Sequence, residues 1–196
     1  VEEVGGTLVT VARDVKVQLE MNPAQVSAWR LIGYENRKLA HADFNDDSKD
    51  AGEVGAGHSI TVLYELIPTT VASHIVPTVD PLKYQHDTEP SAKASEGELL
   101  TVKLRYKETI GASSQLIEIG VRDPGNALVT ASDDLRFAAA VAGFGMILRQ
   151  SEHHGDLDLE RVLDLATDAI GFDPAGYRAG FLDLVEKTRP LLEQRR

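Results

Sequence analysis

The chain has 196 residues with 42% apolar and 26% charged content, enough for one well-packed core or two small units. Its net charge of −11 and lack of any long basic cluster exclude a phosphate-gripping nucleic-acid surface and disfavour an anionic membrane face. It has no cysteine, so disulfides and thiolate metal or redox sites are excluded.

In chain order, Val1, Val4, Leu8 and Val11 fall at helical spacing and predict a helix ending near Arg13. A short strand at Thr7–Ala12, encouraged by Gly5-Gly6, is the competing reading. From Asp14 the period becomes two: Val15, Val17, Leu19 and Met21 alternate with Lys16, Gln18 and Glu20, a half-buried strand closed by Asn22-Pro23. Ala28–Glu35 and Ser59–Ile67 are the second and third candidate strands, the latter ended by Pro68. Leu99–Lys107 alternates cleanly and forms a hairpin with Ser114–Val121 through a turn containing Gly111. Between the third and fourth strands, Pro68–Glu98 carries four of the eight prolines and reads as a surface excursion that opens at low cost. Within it, Val79–Tyr84 is apolar enough to dock locally.

After Asp123-Pro124-Gly125 the pattern turns helical. Ser132 is the predicted N-cap, with Asp133 and Asp134 in the first turn, where the helix dipole favours carboxylates. Phe137, Val141, Phe144 and Leu148 form the expected apolar stripe, with Ala138, Ala142 and Gly145 as close-approach positions. The longest near-apolar run, Leu135 to Leu148, contains Arg136 and is too short for a membrane span. A second helix is expected over Leu157–Ile170, stopping at Gly171. A third starts from Asp173-Pro174, turns Tyr177, Phe181, Leu184 and Val185 inward, and kinks or ends at Pro190. The predicted class is therefore α+β: antiparallel, sandwich-like sheets packed against a C-terminal helical subdomain of about three helices. The expected organisation is 1–13, 14–122 and 123–196.

The run DFNDDSKDAGEVGAGH, Asp43–His58, holds five carboxylates and three glycines. Asp43, Asn45 and Asp47 have the 1-3-5 spacing of a calcium loop. Position six is Ser48 where a glycine is needed, and position twelve is Val54 where a glutamate is needed, with Glu53 one residue early. The glycines are out of order for a dinucleotide fingerprint and precede a strand, while a P-loop would need Lys after Gly57. A turn explains the run better, with glycines redirecting the chain and Asp/Asn supplying side-chain turns. His58 is then expected at the start of the third strand. His153, His154, Asp156 and Asp158 read as an exposed connection between helices. Neither His58, His74 nor His86 sits in a recognisable nucleophile–base pattern, and no G-x-S-x-G, H-E-x-x-H or kinase signature occurs. No catalytic, cofactor-binding or metal-ligating residue is assigned.

Several stretches together resemble a known family: Glu3–Met21 (EVGGTLVTVARDVKVQLEM), Arg30–Leu39 (RLIGYENRKL) and Asp43–Glu65 around DAGEVGAGHSITVLYE. Val79–Gln85 (VDPLKYQ), Glu98–Lys107 (ELLTVKLRYK), Ser132–Met146 (SDDLRFAAAVAGFGM) and Gly176–Leu184 (GYRAGFLDL) join them. They are similar to the C-terminal region of bacterial YfbK-type proteins, which carry a von Willebrand factor A domain upstream. The resemblance implies that residues 1–13 end the last helix of that A domain. It also implies that the remainder is a domain of unknown function, within proteins often exported and lipid-anchored. The family's adhesion motif, Asp-x-Ser-x-Ser, belongs to the A domain. The nearest approach here, Asp46-Asp47-Ser48-Lys49-Asp50, departs from it, so no ligands carry over. The expected role is a non-catalytic accessory or protein-interaction domain with no cofactor and no membrane insertion. Its expected partners are the A domain of the same chain and a further protein. The rivals are a calcium-stabilised adhesion module using Asp43, Asn45, Asp47 and Asp50 of loop 43–53, and an enzyme with a site between sheet and helices.

Overall fold

The computed structural model describes residues 9–33, 41–71 and 90–193. The chain divides into two compact units at Pro124–Gly125, and each is taken by itself below.

Among its described residues, the first unit holds six strands in two antiparallel sheets. β1 (Thr10–Met21), β3 (Gly52–Gly55), β5 (Leu100–Lys107) and β6 (Gln115–Val121) form one sheet in the order β3-β1-β5-β6. β2 (Val26–Ile32) and β4 (Leu63–Pro68) form the other. The strands at 26–32, 100–107 and 115–121 lie within two residues of the positions alternation predicts wherever the residues are described. β5 and β6 pair without interruption from Leu100↔Val121 to Tyr106↔Gln115, as the hairpin reading requires.

The N-terminal helix needs correction. Thr10–Arg13 belong to β1, and residues 1–8 of that expectation lie outside the described residues. The competing reading, a strand at Thr7–Ala12, holds from Thr10 onward. The strand then runs on through a β-bulge: Asp14 has φ 50°, a left-handed conformation that Asp tolerates, and the pairing of β1 shifts between Arg13 and Lys16. Two further strand expectations shift. β4 begins at Leu63 rather than Ser59, leaving Ile60 and Val62 exposed in the connection, and it includes Pro68. Gly52–Gly55, read as turn, is a short edge strand pairing Val54 with Ala12 and Gly52 with Val15.

Register fixes the two faces of the larger sheet. Val17, Leu104 and Ile117 lie in one row, followed by Leu19, Val102 and Ile119, then Met21, Leu100 and Val121. The opposite face carries Lys16, Arg105 and Leu116, then Gln18, Lys103 and Glu118. One face is thus aliphatic and the other charged. Asn22 fastens the end of β1 to the start of β5. Its N–H donates to Leu99 O, and its Nδ2 donates to Ala94 O and Glu98 O, at 2.6–2.8 Å. In the smaller sheet, the rings of Trp29 and Tyr64 lie 6.0 Å apart and Arg30 pairs with Glu65 directly across the ladder.

The second unit contains α1 (Asp133–Leu148), α2 (Leu159–Thr167) and α3 (Tyr177–Glu193). Ser132 caps α1 by accepting from Leu135 N–H, and Asp158 caps α2 by accepting from Arg161 N–H. The core is Ala140, Phe144, Val162, Ala166 and Val185, with Phe181 edge-on to both Phe137 and Phe144 at 5.3 and 5.6 Å. The inward stripe of α1 therefore runs Phe137-Ala140-Phe144-Ile147, while Val141 and Leu148 are exposed. The close-approach glycine is Gly143, where a Cβ would collide with Leu157; Gly145 has room. Tyr177 and Leu184 face solvent, against expectation, while Phe181 and Val185 pack inward. Asp173-Pro174 precedes α3 rather than opening it, and Pro190 lies inside α3 without ending it. Arg136 and Arg178 donate to the carbonyls of Asp168 and Ala169 just past α2, closing its C-terminal end with positive charge.

Candidate functional site

The acidic run is the densest cluster of polar chemistry in the described residues, and its placement decides what it can do. His41–Asn45 forms a 3₁₀ turn, and Phe44 is buried beneath it. The chain then turns through Asp46-Asp47-Ser48 and enters β3 at Gly52. Asp46 makes this turn itself. Its Oδ1 accepts from Ser48 N–H at 2.9 Å and from the Ser48 hydroxyl at 2.6 Å. Those bonds, hydroxyl first, hold the Asp46 carboxyl below its ordinary range. Gly57, at φ 77°, then turns the chain out of β3.

Beneath the turn lies the charged face of the sheet. Lys16 is 2% exposed, and its ammonium donates to the Asp46 carbonyl. Lys107 donates to the Asp47 carbonyl at 2.9 Å and to Asp14 Oδ2 at 2.7 Å. Arg105 donates to Asn45 Oδ1 at 3.1 Å and to the Ser114 hydroxyl at 2.8 Å, and its guanidinium lies 5.5 Å from the Phe44 ring centre. The Asp47 carboxylate accepts from Ser114, which holds it below its ordinary range. The Lys107 ammonium does the same for Asp14 and is itself raised by that bond. At the edge, Arg13 pairs with Glu53, which also accepts from the Thr10 hydroxyl.

These partners define the chemistry. Several oxygens that a calcium loop would direct inward are bonded to the protein's own donors: Asn45 Oδ1 to Arg105, the Asp47 carboxylate to Ser114, and the Asp46 and Asp47 carbonyls to Lys16 and Lys107. Among the described residues, no group of three His, Asp or Glu side chains converges to hold a metal. The run is an acidic strap fastened across a basic sheet face.

The other candidates disperse. His58 is exposed, in the connection before β4 rather than at its start, with its N–H on Gly55 O. His74 and His86 lie outside the described residues, as does Val79–Tyr84. Of the four residues between α1 and α2, Asp158 is occupied as the N-cap, the Asp156 carbonyl receives Arg161, and His153 lies beside Glu152. They do not form one site.

Sequence reading missed Lys16, Arg105 and Lys107 as the strap's anchors. A signal was available: alternation places Lys103, Arg105 and Lys107 on one face of a strand, and an acidic run nearby is its natural cover.

By its elements the protein is an α+β domain, with antiparallel sheets in its first unit and three helices in its second. The chain belongs to the family described as the C-terminal region of the uncharacterized protein YfbK, which matches residues 6–191. It is 41% identical over 179 residues to uncharacterized protein YfbK of Escherichia coli (strain K12), covering 91% of this chain and 30% of that protein. The chain thus spans about a third of the length of that relative. No solved structure matches.

Proposed function

We propose that this chain is a non-catalytic accessory domain that binds protein, and that it positions or regulates a von Willebrand factor A domain upstream in the same polypeptide. The observation that carries the reading is the aliphatic face of the larger sheet. Val17, Ile117 and Ile119 stand in adjacent rows there and remain 42–56% exposed. Exposed aliphatic rows rimmed by charge are the composition of a docking surface. Meanwhile Asn45, Asp46, Asp47 and Ser48 of the acidic strap are bonded within the protein, a structural use of those groups. Among the described residues no helix is long and apolar enough to cross a membrane. In this reading the whole protein is exported, and any lipid anchor belongs to an upstream region.

Calorimetric titration of this chain into the separately produced upstream region tests the proposal. Saturable binding is expected, weakened by Val17→Asp. Absence of binding, with both parts folded, would reject it. Export is checked by fractionating cells that make the full-length protein, and recovery from the cytoplasm alone would reject that part.

A further inference from the structure

Among the described residues β6 is the last strand of its sheet, and every residue from Gln115 to Gly120 is exposed. An outer strand normally carries a lysine, a proline or a bulge that discourages further pairing. β6 has none of these: it reads Gln-Leu-Ile-Glu-Ile-Gly-Val and pairs with β5 in unbroken register. Its outer edge is therefore a template for another strand.

The inner edge displays the chemistry that β6 accepts. β5 alternates aliphatic and cationic residues, setting Val102 opposite Ile119, Lys103 opposite Glu118 and Leu104 opposite Ile117. The same side chains are presented outward. On the aliphatic face, Ile117 and Ile119 extend past β5. On the charged face stands Glu118, and the Glu98 carboxylate lies over Gly120, with Arg122 3.9 Å from it. A second copy of β6 paired antiparallel about Glu118 would set that carboxylate against its twin, which disfavours self-pairing.

We propose that the outer edge of β6 receives an extended segment of a protein partner that alternates aliphatic residues with Lys or Arg, adding a fifth strand to the sheet. The added aliphatic side chains continue the Ile117–Ile119 row, and the added cations lie beside Glu118 and Glu98. Main-chain pairing supplies affinity and the alternation supplies selectivity. This rests on the protein-interaction reading above and names the chemistry of the partner.

The test is fluorescence anisotropy with the whole chain and a labelled octapeptide alternating valine and lysine, beside its valine–glutamate counterpart. The lysine peptide should bind, with the glutamate peptide roughly tenfold weaker. Glu118→Lys, an exposed change, should reverse that order, and amide exchange should slow at residues 115–121 in the complex. Equal binding of both peptides, or protection elsewhere, would overturn the proposal. So would slowed exchange at 115–121 that follows chain concentration without peptide, because a second copy would then be the occupant. If the chain binds the upstream region and not the lysine peptide, the edge proposal alone fails. If it binds the peptide and not the upstream region, only the accessory role fails.

Discussion

The two units are held together by different forces. In the helical unit, Ala140, Phe144, Val162, Ala166, Ala169 and Val185 are buried, an apolar interior closed by three phenylalanine rings. Among the described residues of the sheet unit, the buried ones are the apolar Val26, Phe44 and Leu100 and one charged residue, Lys16. Its larger sheet is fastened by a polar strap while Val17, Ile117 and Ile119 on its aliphatic face stay open to solvent. A small sheet with apolar residues exposed on one face must gain its order elsewhere. Here donors on β1 and β5 hold the acidic run. The helical unit should therefore respond mainly to changes of volume, and the sheet unit to changes of hydrogen bonding and charge. Trp29, the sole tryptophan, lies in the sheet unit, so its fluorescence follows that unit while helical dichroism follows the other.

The largest effect is expected from Phe144→Ala, which removes a ring 6% exposed and its edge contact with Phe181. Loss of transfer energy plus a cavity should cost about 3–5 kcal/mol, read as a fall in the helical melting transition. If the Trp29 transition falls by the same amount, the units unfold as one and the contrast between them breaks.

Next in size is Lys16→Met. A methionine fills a similar volume, but the Asp46 carbonyl loses its buried donor. The cost should be about 1–3 kcal/mol, seen in the Trp29 transition, with faster amide exchange around Asp46–Ser48. Unchanged exchange there would show that Lys107 and Arg105 suffice to hold the strap.

Sequence made the regular parts legible and left the long-range parts hidden, for physical reasons. β5, β6, the Ser132 cap and the three helices follow from local alternation, periodicity and capping chemistry. At the N-terminal end of β1, the helical spacing of Val1, Val4, Leu8 and Val11 competes with a strand at Thr7–Ala12, and pairing with β3, some forty residues on, decides for the strand from Thr10. The stripe on α1 differs from expectation by one residue at two of its four positions, Ala140 for Val141 and Ile147 for Leu148, since an apolar, small-residue helix offers several faces and only the partner helices select one. The acidic strap was legible as a turn, but its anchors are 30 and 60 residues distant, as in Lys16 to Asp46 and Lys107 to Asp47. Spacing within one segment carries no record of such contacts.

A smaller effect sharpens the contrast from the helical side. Ser132→Ala removes the acceptor for Leu135 N–H, leaving an unpaired donor in the first turn of α1. About 1 kcal/mol should be lost from the helical transition, with Trp29 unaffected. Asp158→Ala should behave alike on α2, where the bond from Arg161 N–H is 2.9 Å. A Trp29 shift in either variant would again join the two units.

The smallest expected effect is the response to acid, because the strap's ion pairs, Arg13–Glu53 and Lys107–Asp14, retain contact with solvent and are individually weak. Asp14, Asp46 and Asp47 are all held below their ordinary value of 3.8, by Lys107, by Ser48 and by Ser114 respectively. A depressed carboxyl contributes stability that is present above 3.8 and is lost as pH falls through the folded value. The Trp29 melting temperature should thus hold steady near neutral pH and decline below about pH 4. Lys103 and Lys107 are raised above 10.5 by Glu20 and Asp14, so their contribution persists to that pH and disappears only above it. In the helical unit the buried core binds no proton, and Arg136 and Arg178 donate in part to carbonyls that do not titrate. Its transition should decline less over the same acid range. The pairing of Lys107 with Asp14 separates this cause from general charge repulsion: Asp14→Asn should flatten the acid slope of the Trp29 transition and leave the helical slope unchanged. Equal slopes for both units in the parent, or no flattening in the variant, would show that the strap's carboxylates do not set the sheet unit's stability.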